Sequence, residues 1–418
     1  MPLAITHGAV ARPSGRLGPL AVEAPDEDVL TLAVAAAEAL PASSDAPATT
    51  RIDLVGDFPA EAEWEILEAL GLPGVAVHRS PGGPSHLFEA LLRATDRSAH
   101  GSGLVLAVDR SAASRGGKVD HGALAIALRA TEGPGIVIDS VRTDSATPSD
   151  AKRPLRLPHP TGSGPVPLFL LGQESRVTAA SAAAGELGYS PAIVPRAPPG
   201  TGPAPTAPYA LALRAAPSGV GGPAGFVIAI LGDDRDVTVR GRVSAAMMWF
   251  EAAGPAAIAL SAPPAPDDPT SLDARAEGAY VPRPRYLENL PSRWRLVAER
   301  CGVCGRLTFP ARGACAACGS GELTAVPLAR TRWRVEAATT VHPGAQPTEF
   351  DRTVAAAGAY SVVVARSSEG PRATFQVAGP PGTAPVGTTI APVLRRLYPM
   401  EGEWRYGRKA VPVGPPAR

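Results

Sequence analysis

Four cysteines, Cys301, Cys304, Cys315 and Cys318, are the only ones in this 418-residue chain, and they lie in one short stretch. Two residues separate the cysteines within each pair, and ten residues separate the pairs. A glycine follows the second cysteine of each pair, where a tight turn needs a residue that tolerates positive φ. Thiolates at this spacing hold one tetrahedral metal ion. The pattern therefore predicts a structural zinc site, closed by four ligands.

Other uses of these thiols are weaker interpretations. Two disulfides would need an oxidising compartment, and the opening MPLAITHGAV has no basic segment followed by a long apolar one, so we expect a cytoplasmic protein. A redox Cys-x-x-Cys would need one pair only. Iron also suits four thiolates, and the spacing does not distinguish it from zinc.

Charge is distributed unevenly along the chain. From Pro291 onward there are 17 Arg and Lys against 8 Asp and Glu, a net charge of +9, whereas the residues before it carry −8. The C-terminal part is therefore a candidate for binding an anion, either a nucleic acid or a phosphate-bearing cofactor. No apolar run is long enough to span a bilayer, so we expect no membrane contact.

Residues before position 262 alternate apolar helices and apolar strands. Predicted helices cover DVLTLAVAAAEAL, EAEWEILEALGLPG, SHLFEALLRATDR, RVTAASAAAGELGYS and PYALALRAAP. Predicted strands cover RIDLVGD (51–57), SGLVLAVDR (102–110), GALAIALRA (122–130), VPLFLLG, GFVIAILGDD and DVTVRGRV. This alternation predicts an α/β layer with helices packed on a parallel or mixed sheet.

Short alternating strands follow the cysteine segment, in TRWRVEAATTVH, AYSVVVARS, PRATFQVAG and TTIAPVLRRLY. Glycine and proline turns separate them, which favours a small β-barrel over a helical domain. The predicted domains are an α/β domain at 1–261, a linker at 262–290, a zinc ribbon with a leading helix at 291–325 and a barrel at 326–412.

The segment from YLENLPSRW through the cysteines and FPAR to TRWRV resembles the DUF35 family. The resemblance covers Tyr286 to about Pro412 and implies a rubredoxin-like zinc ribbon followed by an OB-fold. Members of that family accompany thiolase-superfamily enzymes, and the resemblance implies that they bridge subunits and help to hold acyl-CoA.

The first 260 residues resemble hydroxymethylglutaryl-CoA synthase and its thiolase-fold relatives. APDEDVLTLAVAAAEAL is similar to the first long helix of that family, GLVLAVDR to its central strand, and the stretch from AAAGELGYS to FVIAILGDD to its closing elements. The resemblance implies a shortened thiolase fold.

Departures from that family remove its chemistry. Condensation uses a cysteine nucleophile, a histidine and oxyanion donors, yet every cysteine here belongs to the zinc motif. Ser80 or Pro81 stands where the nucleophile is expected, the histidine falls near Gln173, and the acid/base carboxylate falls near Asp57. The Gly-Asn-Thr turn falls at 203–207, which contain no asparagine. We therefore predict no catalytic residue.

The sequence thus predicts a non-catalytic scaffold that binds CoA or acyl-CoA and pairs with an active thiolase-superfamily subunit or with itself. Arginine binds phosphate groups well, and the residues predicted to hold CoA are Arg330, Arg332, Arg334, His342, Arg395 and Arg396.

Two alternatives belong to other classes. The first is a residual acyltransferase of the hydroxymethylglutaryl-CoA synthase type, with Ser80 as its nucleophile. The second is a zinc-ribbon and OB-fold protein that binds single-stranded nucleic acid by stacking bases on Trp294, Trp333, Phe350 and Tyr360. The acidic N-terminal part and the FPAR segment both argue against the second alternative.

Overall fold

The structure of the chain is a computed structural model. It describes residues 3–11, 15–17, 20–22, 26–41, 49–56, 58–81, 84–95, 102–115, 118–132, 136–145, 166–172, 177–178, 180–182, 184, 189–193, 224–231, 235–245, 247–254, 258–259, 282–346, 354, 358–400 and 403–414. The predicted helix PYALALRAAP, most of the predicted linker, Asp57, Gln173, residues 203–207 and Phe350 lie outside them, and RVTAASAAAGELGYS is described only in part.

Helices and strands are numbered in chain order. The strands are β1 Leu3–Ala11, β2 Gly15–Leu17, β3 Leu20–Val22, β4 Thr49–Val55, β5 Ala76–Ser80, β6 Ser102–Arg115, β7 Lys118–Glu132, β8 Ile136–Ser145, β9 Val166–Gly172, β10 Tyr189–Ile193, β11 Ala224–Leu231, β12 Arg235–Val243, β13 Met248–Glu251, β14 Ile258–Ala259, β15 Val297–Cys301, β16 Leu307–Thr308, β17 Leu323–Pro327, β18 Trp333–Val341, β19 Tyr360–Ser367, β20 Arg372–Gln376, β21 Thr389–Met400 and β22 Glu403–Pro412. The helices are α1 Val29–Ala39, α2 Ala62–Leu70, α3 Pro84–Ala94, α4 Arg283–Glu288 and α5 Leu290–Trp294.

The chain forms two compact units, and neither is continuous in sequence. The first unit contains Met1–Val10, Ala39–Pro59 and Val75–Glu251. The second unit contains Ala11–Glu38, Ala60–Gly74 and Ala252–Arg418. Almost all of α1 and all of α2 therefore group with the C-terminal residues. The domain boundaries read from the sequence stay a prediction.

One mixed sheet of 11 strands organises the first unit. Its order is β10-β9-β11-β12-β8-β1-β7-β6-β4-β5, and β13 also pairs with β1. Strands β4, β5 and β6 run parallel, whereas β6 and β7 form a long antiparallel pair. Leu87, Phe88 and Leu91 of α3 pack in one apolar core with Val105 and Ile136 of the sheet. The predicted α/β layer is confirmed.

Differences from the sequence prediction concern both missed elements and strand length. Strands β1, β5, β8 and β10 were not predicted, β10 begins within the last residues of the predicted helix RVTAASAAAGELGYS, and α4 lies in the predicted linker. The predicted strands at 102–110 and 122–130 extend to Arg115 and back to Lys118, because the two strands continue their antiparallel register to that pair. Hydrophobicity marked only the apolar halves of both strands, since polar residues join a ladder once its register is set.

Three further sheets lie in the second unit. They are β14-β2-β3, the ribbon sheet β16-β15-β17 and a five-stranded sheet ordered β20-β19-β18-β21-β22. Neighbours in the five-stranded sheet are antiparallel, and a bridge between Val377 and Ala410 joins the end of β20 to β22. That bridge brings the edge strands together, so the expected all-β barrel is present.

The ribbon and the barrel share one apolar core. Leu296 and Ala298, beside and within β15, belong to the same buried cluster as Trp333, Phe375 and Ile390 of the barrel. Trp333 is 1% exposed and meets Phe375 edge-on, with ring centroids 5.1 Å apart. The metal ribbon therefore fixes one wall of the barrel core.

No helix in the described part of the chain is long and apolar enough to cross a membrane.

Candidate functional site

The four cysteine sulfurs converge at one end of the ribbon. Their Sγ atoms all lie within 4.8 Å of one another, with separations of 3.6 Å for Cys301–Cys318, 3.5 Å for Cys304–Cys315 and 3.6 Å for Cys304–Cys318. A tetrahedral zinc ion with four thiolates needs sulfurs about 3.8 Å apart. The donor set thus fits one zinc ion, and the predicted ligands are placed together to hold a metal.

Backbone turns of the same kind hold each cysteine pair. The Gly305 N–H donates to the Cys301 carbonyl at 2.9 Å, and the Gly319 N–H donates to the Cys315 carbonyl at 2.9 Å. Both glycines have left-handed backbones, with φ of 73° and 74°. A side chain there would strain the turn, which explains why glycine follows the second cysteine of each pair.

The pKa values of the cysteine thiols indicate what the cluster needs in order to ionise fully. N–H groups of Ala317 and Cys318 lower the pKa of Cys315 to about 6. The Ser320 N–H also lowers the pKa of Cys318, but the surrounding thiols raise it to about 12. Four thiolates this close repel one another, so full ionisation of the site depends on a bound cation.

A second polar centre lies where α1 begins. Asp28 caps the helix, since its Oδ1 accepts from the Thr31 N–H at 2.8 Å and its own N–H donates to Thr31 Oγ1 at 2.9 Å. The Oδ2 of Asp28 also accepts from Arg396 Nε and from the Tyr406 hydroxyl, each at 2.7 Å. One carboxylate therefore caps the helix and joins it to the barrel strands.

Four ion pairs connect the acidic residues around α1 to β21 and β22. We call them the α1 ion-pair cluster: Asp26–Lys409 at 2.7 Å, Glu27–Arg395 at 3.0 Å, Asp28–Arg396 at 2.7 Å, and Glu38–Arg408 through two bonds of 2.6 and 2.7 Å.

Burial makes these pairs different from surface ion pairs. The side chains of Arg395, Arg408 and Lys409 are only 1–2% exposed. A buried cation is tolerated when an anion and hydrogen bonds compensate its lost hydration. Burial tends to raise the pKa of Asp26, but the charges of Lys409 and Arg395 bring it below its ordinary value. Asp26 therefore joins the acidic segment to the barrel as a carboxylate paired with Lys409.

The residues predicted to hold CoA fall into two groups. Arg395 and Arg396 are buried and bound to Glu27 and Asp28, so in this structure carboxylates of the chain itself occupy them. Arg332, Arg334 and His342 are exposed. The role of all six in CoA binding stays a prediction.

Arg330 is the sixth residue of that set. It is exposed, and its Nη2 donates to the Glu38 carbonyl at 2.6 Å. It therefore lies beside the ion pair of Glu38 with Arg408 rather than with the exposed residues of β18.

Two features of the sequence point to this cluster, the acidic residues just before α1 and the basic excess after Pro291. Neither feature contains the pairing, because the partners are more than 360 residues apart.

Three of the four aromatic residues proposed for base stacking lie in the described part of the chain, and all three are buried. Trp294 is fully buried, and its Nε1 donates to the Tyr406 carbonyl at 3.1 Å. Trp333 lies in the barrel core, and Tyr360 is 7% exposed. Buried rings present no face on which a base can stack.

Ser80 ends β5 in the first unit. Its Oγ accepts a hydrogen bond from Arg93 Nη2 at 3.2 Å, while Arg93 Nε donates to the buried carboxylate of Asp53 at 2.9 Å. A guanidinium stays protonated and cannot take a proton from a hydroxyl. This hydrogen bond therefore holds Ser80 in place without activating it as a nucleophile.

Comparison with known proteins gives the following likenesses. Residues 291–324 match the ChsH2 rubredoxin-like zinc ribbon family, so the predicted DUF35-type ribbon is confirmed. The chain is similar to a structure of HMG-CoA synthase complexed with CoA, at 12% identity over 58% of this chain and 82% of that one, with a TM-score of 0.41.

Two other solved structures are also similar. PksG, an HMG-CoA synthase from Bacillus subtilis, is 16% identical over 58% of this chain and 80% of its own, with a TM-score of 0.42. The Ltp2-ChsH2(DUF35) aldolase is 23% identical over 32% of this chain and 98% of that chain, with a TM-score of 0.24.

We predict that Cys315→Ser removes the metal and unfolds the ribbon, because three thiolates and a hydroxyl hold zinc far less tightly. Metal analysis and thermal unfolding of the purified protein check this. The control is Val303→Ser, which introduces the same side chain at an exposed position between two ligands. Unchanged metal content in the Cys315 variant would contradict the assignment.

Glu38→Gln should destabilise the protein by about 3–5 kcal/mol, because it leaves the buried Arg408 without its anion. The comparison is Glu288→Gln, whose pair with Arg285 is exposed and should cost less than about 1 kcal/mol. Denaturant unfolding measures both. A double change, Glu38→Gln with Arg408→Met, should recover part of the loss, and equal losses for both single variants would count against the cluster.

Glu65 of α2 should make stability fall as the pH rises. Burial, followed by the charges of Asp28, Glu61 and Glu403, raises its pKa to about 8. The unfolded chain releases this proton near pH 4.5 and the folded chain near 8, so the free energy of unfolding decreases between those values and then levels.

Glu65→Gln should remove that dependence. Between pH 6 and 8 wild-type protein should lose about 1–3 kcal/mol more than the variant, as measured by denaturant unfolding. Glu63→Gln, an exposed position on the same helix, should behave as wild type. Parallel pH profiles for wild type and the Glu65 variant would refute the assignment.

Proposed function

We propose that this protein is a non-catalytic accessory subunit that binds CoA or acyl-CoA and assembles with an active enzyme of the thiolase superfamily. One observation carries the proposal. All four cysteines of the chain converge in the ribbon, so no thiol remains to form an acyl-enzyme. A closed four-thiolate site also offers no open coordination position for catalysis.

The environment of Ser80 supports the same conclusion. Acyl transfer from a serine needs a base that accepts the hydroxyl proton. The described partner of Ser80 is Arg93, which is a donor. A substitute for the missing thiol would therefore need activation by some group other than this arginine.

Coupling of the acidic segment to the barrel supports a scaffold. The α1 ion-pair cluster connects α1 to the barrel, and a shared core connects the ribbon to the barrel. All three parts belong to the second unit. A unit connected in this way offers a rigid surface to a partner, which limits the entropy lost on assembly. The DUF35 resemblance of residues 286–412 suggests the class of that partner.

Calorimetry on the zinc-loaded full chain tests which class of ligand the protein binds. We expect binding of CoA and no binding of a short single-stranded oligonucleotide at physiological salt. Oligonucleotide binding with a steep salt dependence would instead indicate a nucleic-acid protein. Release of free CoA from acetyl-CoA, lost on Ser80→Ala, would establish an acyltransferase.

Gel filtration with a purified thiolase-type enzyme tests the partner. The two proteins should elute as one larger complex, and separate elution would contradict the scaffold role.

A further inference from the structure

Three arginines form a row across the outer face of the barrel sheet. Arg334 on β18 lies opposite Arg366 on β19, and Arg366 lies opposite Arg372 on β20. The neighbouring residues Trp333 and Val335 point into the core, so alternation along β18 directs Arg334 outward. We call these three residues the arginine row.

Like charges directly opposite one another destabilise a sheet unless an anion lies between them. Glu336 partly meets this need. Its Oε1 accepts from Arg366 Nε at 2.6 Å and its Oε2 from Arg372 Nε at 2.5 Å. Hydrogen bonds from Arg372 and Arg366 lower the pKa of Glu336, so this carboxyl is an anion at neutral pH. Two guanidinium groups thus already converge on one two-oxygen anion.

One carboxylate does not neutralise three guanidinium groups. The row and Glu336 together carry a net charge of +2, and within the described residues no carboxylate is hydrogen-bonded to Arg334. The row is accessible, since Arg366 and Arg372 are 42% and 59% exposed. Gly387 lies next to the arginine row. A Cβ atom added at Gly387 would lie 3.8 Å from Arg334 Nη2. There is space beside Arg334 for a ligand atom.

The ligand chemistry follows from this arrangement. A phosphate monoester carries close to two negative charges at neutral pH and three oxygens, which match a +2 surface and several guanidinium donors. A carboxylate would leave one charge unmatched. Since the sites are exposed, the interaction is sensitive to salt.

The geometry points to the arginine row as a binding site for a phosphate monoester, with Arg334 and Arg366 as the principal donors and Glu336 as an internal competitor. The ester has two possible sources, a free phosphorylated nucleoside or the 3′-phosphate of CoA. The second source rests on the proposed function. Arg366 and Arg372 thereby extend the predicted basic set, and the buried Arg395 and Arg396 have no part in this site.

Calorimetry at low salt tests the site with three probes: CoA, dephospho-CoA, which lacks the 3′-phosphate, and adenosine 3′,5′-bisphosphate. We expect the bisphosphate to bind, and CoA to bind about tenfold more tightly than dephospho-CoA. Arg334→Ala and Arg366→Ala should each weaken the bisphosphate about tenfold. Glu336→Gln should tighten it, because the competing anion is gone.

Arg142→Ala is the matched control, because Arg142 is an exposed, ion-paired arginine on a strand of the first unit. It should leave binding unchanged, and thermal unfolding confirms that each variant is folded. If CoA binds and neither row variant weakens it, the site is wrong and the proposed function stands. If the bisphosphate binds through the row and CoA does not, the site stands and CoA is not the ligand. Equal affinity for CoA and dephospho-CoA would overturn the 3′-phosphate source.

Discussion

A buried charge needs a partner of opposite sign, and this constraint organises the second unit. Four cations on β21 and β22 lie out of water and meet four carboxylates from the residues around α1. Neither side can be buried alone without losing several kcal/mol. The position of α1 on the barrel therefore depends on these ion pairs as well as on the apolar packing of the helix. Four acidic residues of the N-terminal part and four basic residues of the C-terminal part are used in this internal pairing.

The metal centre imposes a similar constraint in the ribbon. Four thiols within 4.8 Å need a cation to ionise together. Once bound, the metal fixes β15, and Leu296 and Ala298 carry that order into the barrel core. The ribbon is thus continuous with the barrel core, and it contains every cysteine in the chain.

The barrel presents its basic residues in two different states. Arg395, Arg408 and Lys409 are buried in ion pairs and act as structural cations. Arg334, Arg366 and Arg372 lie on the outer face, where one carboxylate, that of Glu336, bonds two of the three guanidinium groups. The basic excess counted from the composition includes both sets of residues. Of these two sets, the exposed one is not fully neutralised by carboxylates.

Some features of this protein were determined by the sequence alone, because they depend on local spacing. The metal ligands, the glycines after them, the α/β alternation and the all-β C-terminal part are of this kind, since turns, periodicity and ligand spacing are short-range properties. Only the tertiary structure decided which charges are paired. Asp28 forms an ion pair with Arg396, 368 residues away in the sequence. Strand register places Arg334 opposite Arg366. The local sequence pattern contains neither the long-range pairing nor the strand register. The buried and the exposed arginines therefore cannot be told apart from the sequence.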